Sequence, residues 1–151
     1  MPDQTFVYVT YIRTTPEKLW EALTQPEFTR RYWFGIHQET NWTAGSSWKL
    51  VYADGRVTDT GEVAEIDPPR RLVLKWRNEF RPELKAEGYT RCTFEIEQEG
   101  EVVKLTITHE ADQAPKTIEA VSKGWPRVLS SLKSLLETGE GLPRTDQPPR
   151  G

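Results

Sequence analysis

The chain opens on an apolar run, Thr5 to Ile12 (TFVYVTYI), rich in β-branched and aromatic residues and too short for a stable helix, so it reads as a strand. Two helix starts follow and share one pattern. Thr14-Thr-Pro-Glu17 and Thr24-Gln-Pro-Glu27 each place an N-cap Thr three residues before a Glu, with Pro in the first turn, where its missing N–H costs little. The first helix offers Leu19, Trp20 and Leu23 to one side, and the second offers Phe28 and Tyr32.

From His37 to His109 the hydrophobic period changes to two, and turn signals recur as in an antiparallel meander of six strands. Asp54-Gly55 predicts a hairpin between Trp48–Tyr52 and Val57–Ile66, and Asp67-Pro-Pro-Arg70 predicts the next reversal, before RRLVLKW. The polar stretch Asn78 to Thr90 reads as a loop, and Glu99-Gly100-Glu101 joins two further strands. Alternation puts Trp48, Leu50 and Tyr52 on one face, with Leu72, Leu74 and Trp76, Cys92, Phe94 and Ile96, and Val103, Leu105, Ile107 and His109. The opposite face is largely polar, so one side of the sheet needs a cover.

The last periodic segment, Pro115 to Glu137, supplies it. Ile118, Val121, Trp125, Val128, Leu129, Leu132, Leu135 and Leu136 fall within an arc of about 120°, the apolar stripe of a helix lying on a sheet. Pro126 interrupts this segment and predicts a bend toward the sheet. The chain is therefore expected to be α+β: a curved antiparallel sheet of six or seven strands around a long C-terminal helix, with two short helices after the first strand. A single domain over 1–137 and a disordered tail over 138–151, rich in breakers and poor in apolar residues, complete the expectation.

Composition adds a surplus of indole. Six Trp, five Tyr and five Phe must be placed in 151 residues. A lone cysteine, Cys92, gives no disulfide framework or thiolate metal site, and two histidines cannot build a multi-histidine one, so neither metal nor cofactor is expected. A net charge of −3 without long charge blocks argues against a nucleic-acid surface. No signal peptide is evident and no stretch approaches the roughly 18 apolar residues of a membrane span, so a cytoplasmic protein is expected. The doublets Arg30-Arg31 and Arg70-Arg71 read as surface features.

Several ordered segments carry a resemblance. TTPEKLWEALTQPE, RYWFG, AGSSWKL, GEVAEIDPPRRLVLKW, VKLTITHE and GWPRVLSSLKSLLE look like the SRPBCC (START-related, helix-grip) superfamily, and most like its branch named after the activator of heat-shock-protein-90 ATPase. Pro126 directly after Gly124-Trp125, and Ser46 where a second glycine after Gly45 is common, depart from the pattern. The resemblance implies a cavity between helix and sheet, used across the superfamily for lipids, sterols, polyketides and plant hormones.

Placed on that frame, Tyr8, Thr10, Trp33, Trp48, Leu50, Leu74, Trp76, Phe94, His109, Val121 and Trp125 form the expected cavity lining. An aromatic wall with a few polar tips suits a small-molecule site; equally, indoles are core material that can fill the space outright. His109 fits a ligand anchor or general base on one reading and a satisfied buried imidazole on the other. No catalytic motif stands out, and Cys92 resembles a small hydrophobe. The expected partner is a hydrophobic small molecule, with a chaperone-facing module as the alternative and a cyclase- or hydrolase-type enzyme as a third.

Overall fold

A computed structural model of the chain describes residues 4–148. Seven strands form one antiparallel sheet: β1 (Gln4–Ile12), β2 (His37–Thr40), β3 (Ser47–Val51), β4 (Val57–Asp67), β5 (Arg71–Asn78), β6 (Thr90–Glu99) and β7 (Val102–Ala111). The spatial order is β1-β7-β6-β5-β4-β3-β2, so the six-strand meander is closed by the first strand returning beside the last. Between β1 and β2 lie α1 (Pro16–Thr24) and α2 (Pro26–Tyr32); α4 (Pro115–Thr138) follows β7. This is the α+β architecture that the periodicities predict and the helix-grip fold that the resemblance implies. Among the described residues, no helix is long and apolar enough to cross a membrane.

Local chemistry sets the joints. Gly55 takes a φ of 94° after Asp54, the left-handed geometry of a tight hairpin. Thr15, not Thr14, caps α1, its hydroxyl accepting from the Lys18 amide at 3.2 Å. The expected capping by Thr24 is corrected: Thr24 belongs to the end of α1, donates to the Trp20 carbonyl at 2.8 Å, and leaves Gln25 as an uncapped entry to α2. Because α1 and α2 meet at one residue, a single Thr cannot serve both. The stretch Asn78–Thr90 holds a one-turn helix, α3 (Pro82–Lys85), whose Leu84 is buried.

Helix α4 runs unbroken through Pro126. Packing of Trp125, Val128, Leu129, Leu132 and Leu135 against the sheet offsets the hydrogen bond that Pro126 cannot make. Val121 and Leu136, at the rims of the stripe, are half-buried. The sheet's inner face is apolar as expected, but its outer face is not uniformly polar: Val7, Val9 and Tyr11 lie exposed along β1. Arg70 pairs with Asp67, and Arg71 with Glu65 and Glu95, on that outer surface.

The segment beyond α4 departs from expectation. Composition predicts a disordered tail over 138–151, yet Thr145 is 1% exposed, its hydroxyl 2.7 Å from that of Ser131, and its carbonyl accepts from the Phe34 amide at 2.6 Å. The anchors are backbone and hydroxyl groups, which hydrophobic patterning does not register. Residues 149–151 lie outside the described residues. Thr145→Val, which keeps the shape and removes the hydroxyl, is expected to lower stability by about 1 kcal/mol in a urea melt; an unchanged midpoint would show that the segment adds nothing.

Candidate functional site

The site begins with a glycine. On β4, Gly61 pairs with Trp48 of β3 on one side and with Trp76 of β5 on the other. With no side chain between them, the two indoles close over the strand to a ring separation of 4.7 Å. Trp125 from α4 meets Trp76 edge-on at 5.6 Å, and Trp33, after α2, lies 5.4 Å from Trp125 and 6.0 Å from Trp76. Sheet, long helix and short helices thus meet at four tilted indoles, arrangements that aromatic quadrupoles favour.

Three of these four indoles have a specific acceptor for the N–H. Trp48 donates to Gln38 at 2.9 Å, Trp76 to Asp59 at 2.7 Å and Trp125 to Nδ1 of His109 at 3.2 Å. The last bond fixes the imidazole. An indole nitrogen can only donate, so Nδ1 carries the lone pair and Nε2 the proton. Nε2 lies 2.7 Å from the Thr90 hydroxyl, which donates in turn to the Trp76 carbonyl at 3.0 Å. Burial holds the His109 pKa down at about 3. His109 is thus neutral and satisfied at both nitrogens, the second of its two sequence readings.

Beside this cluster an apolar pocket of about 240 Å³ remains open. Trp33, Phe34, Trp76 and Trp125 form its aromatic side; Thr117, Ala120, Val121, Gly124 and Val128 line it from α4. Leu84 of α3 and Arg81 close the far side, and Asp59 and Asn78 supply polar atoms from the sheet. Arg81 is turned to Glu83 at 2.8 Å. Asp59 is nine-tenths buried, and this desolvation raises its pKa; hydrogen bonding with Thr58, Trp76 and Asn78 partly offsets the rise, while the Glu79 charge adds to it. A larger hollow of about 620 Å³ lies elsewhere, at Glu62, Lys75, Arg91 and Glu110, and is edged by charge.

Of the residues expected to line a cavity, Trp33, Trp76, Val121 and Trp125 stand on this pocket. Trp48, Leu50, Leu74, Phe94 and His109 face the same interior but lie in the packed core, and Tyr8 and Thr10 sit half-buried on the inner face of β1. Sequence reading missed Asp59, although alternation puts it on the same face as Val63, where a carboxylate stands out. Phe34, Arg81 and Leu84 come from connections without periodicity, so nothing pointed to them.

Gly124 adds a separate test. A Cβ there meets nothing within 4 Å, so Gly124→Ala should gain about 0.5–1 kcal/mol of helix stability in a thermal melt. A loss would mean that α4 needs glycine for packing.

A long helix gripped by a seven-stranded antiparallel sheet, with an aromatic pocket at one end of their interface, defines a helix-grip domain of the SRPBCC type. The family model described as "Activator of Hsp90 ATPase homolog 1-like protein" matches residues 13–137, and the chain belongs to that family. Solved structures share the fold. Protein MLL2253 from Mesorhizobium loti is 23% identical with a TM-score of 0.74, the match covering 89% of this chain and 97% of that one. CalU16 from Micromonospora echinospora is 20% identical with a TM-score of 0.76, covering 94% and 71%. The Aha1 dimer from Colwellia psychrerythraea gives 20% and 0.70, covering 91% and 99%. Among curated proteins none matches the sequence.

Proposed function

We propose that the protein binds a small, flat, predominantly aromatic molecule in the pocket between α4 and the sheet, and acts as a binder rather than an enzyme. The observation carrying this reading is the pocket itself, a roughly 240 Å³ space bounded by Trp33, Phe34, Trp76 and Trp125. Its volume lies just below the usual range of about 300–1,000 Å³ for ligand pockets, which favours a one- or two-ring molecule over a sterol or long lipid. A catalytic reading finds little support in His109, whose lone pair is engaged and whose pKa is far from neutrality.

Titration with one- and two-ring aromatic hydrocarbons, followed by intrinsic Trp fluorescence, tests the reading. Saturable quenching is expected, and Ala120→Phe, which fills the pocket from α4, should weaken it by at least about tenfold. No response across the series, or equal binding by the filled variant, would remove the proposal. The family description supports a second partner class, a chaperone ATPase. Stable capture of such an ATPase, unaffected by Ala120→Phe, would shift the reading to a protein surface.

A further inference from the structure

Among the described residues, Asp59 is the one acidic side chain on the pocket wall. Its position is built rather than incidental: the residue stands on the inner face of β4, nine-tenths buried, with Oδ2 held by the Trp76 indole at 2.7 Å. A carboxylate can accept up to about four hydrogen bonds, so the Trp76 contact and the hydrogen bonding with Thr58 and Asn78 leave about one acceptor position over. Among the described residues no Lys or Arg comes within 4.0 Å of its oxygens, although Lys and Arg form thirteen ion pairs elsewhere. Arg81, the cation on the same wall, is committed to Glu83, and Arg77 and Lys85 are committed to Glu79. Buried acids are ordinarily paired, because an isolated charge is expensive to desolvate. Asp59 thus lacks a cation where indole faces, which attract cations, surround an open space.

The geometry points to Asp59 as the polar anchor of the pocket, selecting a small aromatic molecule that carries a protonated amine. This rests on the pocket reading above and adds the chemical class of its occupant. The ring would take the space beside Trp33 and Trp125, and the ammonium would donate to Asp59 while facing the Trp76 π-surface. Bound in this way, the ligand supplies the missing countercharge, and a charge-assisted hydrogen bond forms away from water.

Three probes that share a phenyl ring and a two-carbon arm decide the matter: 2-phenylethylamine, 2-phenylethanol and ethylbenzene, titrated by calorimetry into the full chain and into Asp59→Asn. The asparagine keeps an oxygen to accept the Trp76 N–H, and circular dichroism checks that the fold survives. The amine is expected to bind the native protein at least about tenfold more tightly than ethylbenzene, and the variant should lose that preference while holding ethylbenzene unchanged. Should Asp59→Asn fail to fold, pH supplies the test in the native chain. The groups near Asp59 are Tyr52, Glu79 and Arg81, and α4 presents only uncharged residues to the pocket. Amine affinity should fall on acidification as the carboxyl takes up its proton, with ethylbenzene affinity constant. Equal binding of all three probes, or a preference for the alcohol, overturns the amine assignment and leaves the aromatic pocket standing. Binding of none overturns both.

Discussion

Gly61→Ala is expected to cost about 3 kcal/mol or more, enough to lower the melting temperature of a chain of this size by roughly 10 °C. The cause is local and severe. A Cβ on Gly61 would lie 1.8 Å from the carbonyl oxygen and 2.7 Å from the carbonyl carbon of Lys75, both backbone atoms of the neighbouring strand. No rotamer change relieves a backbone collision, so β4 and β5 must separate. Their separation pulls apart the Trp48–Trp76 contact above them and, with it, one wall of the pocket. The contrast with Gly124→Ala is the control, since the same methyl group is expected to stabilise where it meets open space. A Gly61→Ala protein melting within about 2 °C of the native one would show that the indole arrangement does not depend on close approach at this strand.

Acid should destabilise the protein through His109. Its folded pKa lies near 3 and that of an unfolded histidine near 6.5. Above pH 6.5 the imidazole is neutral in both states and the folded chain keeps its full advantage. As pH falls from 6.5 toward 3 only the unfolded chain takes the proton, so stability declines by up to about 1.4 kcal/mol per pH unit. Asp59 acts in the opposite sense, since its raised pKa lets the folded chain bind a proton first, and acidification through that range returns some stability. Urea melts of the native protein and His109→Gln between pH 7 and 5 isolate the histidine. The Gln side chain can accept from Trp125 and donate to Thr90, and it does not titrate. The native midpoint should drop with pH and the variant midpoint should stay nearly level; parallel slopes would show that His109 is not a buried neutral imidazole.

The fold was legible because its information lies in periodicity. Two-residue alternation identified the inward faces of β3, β5, β6 and β7, and a 3.6-residue stripe identified α4, including Trp125 as an inward residue. The candidate site was only half legible. Alternation can say that Trp48 and Trp76 face inward, but not that Gly61 between them draws the rings together, because that depends on strand order. It can place His109 inward, but not choose between a free and a satisfied imidazole, since the deciding partner, Trp125, lies 16 residues away on another element. Likewise, Leu84 and Arg81 reach the pocket only through the one-turn helix α3, which has no period to read. The C-terminal segment shows the same limit, because Thr145 is fixed by polar contacts to Ser131 and Phe34 rather than by apolar burial.

The six indole side chains offer the most direct test of the central claim that an aromatic molecule occupies the space between α4 and the sheet. Each carries one N–H, and two-dimensional NMR with 15N labelling resolves these signals individually. On titration with a one-ring aromatic ligand, the signals of Trp33, Trp76 and Trp125, which line the pocket, should shift together with a single binding constant. Trp20 and Trp42, which do not line it, should remain in place. Shifts confined to Trp20 and Trp42, or none at concentrations that saturate the fluorescence change, would contradict the account.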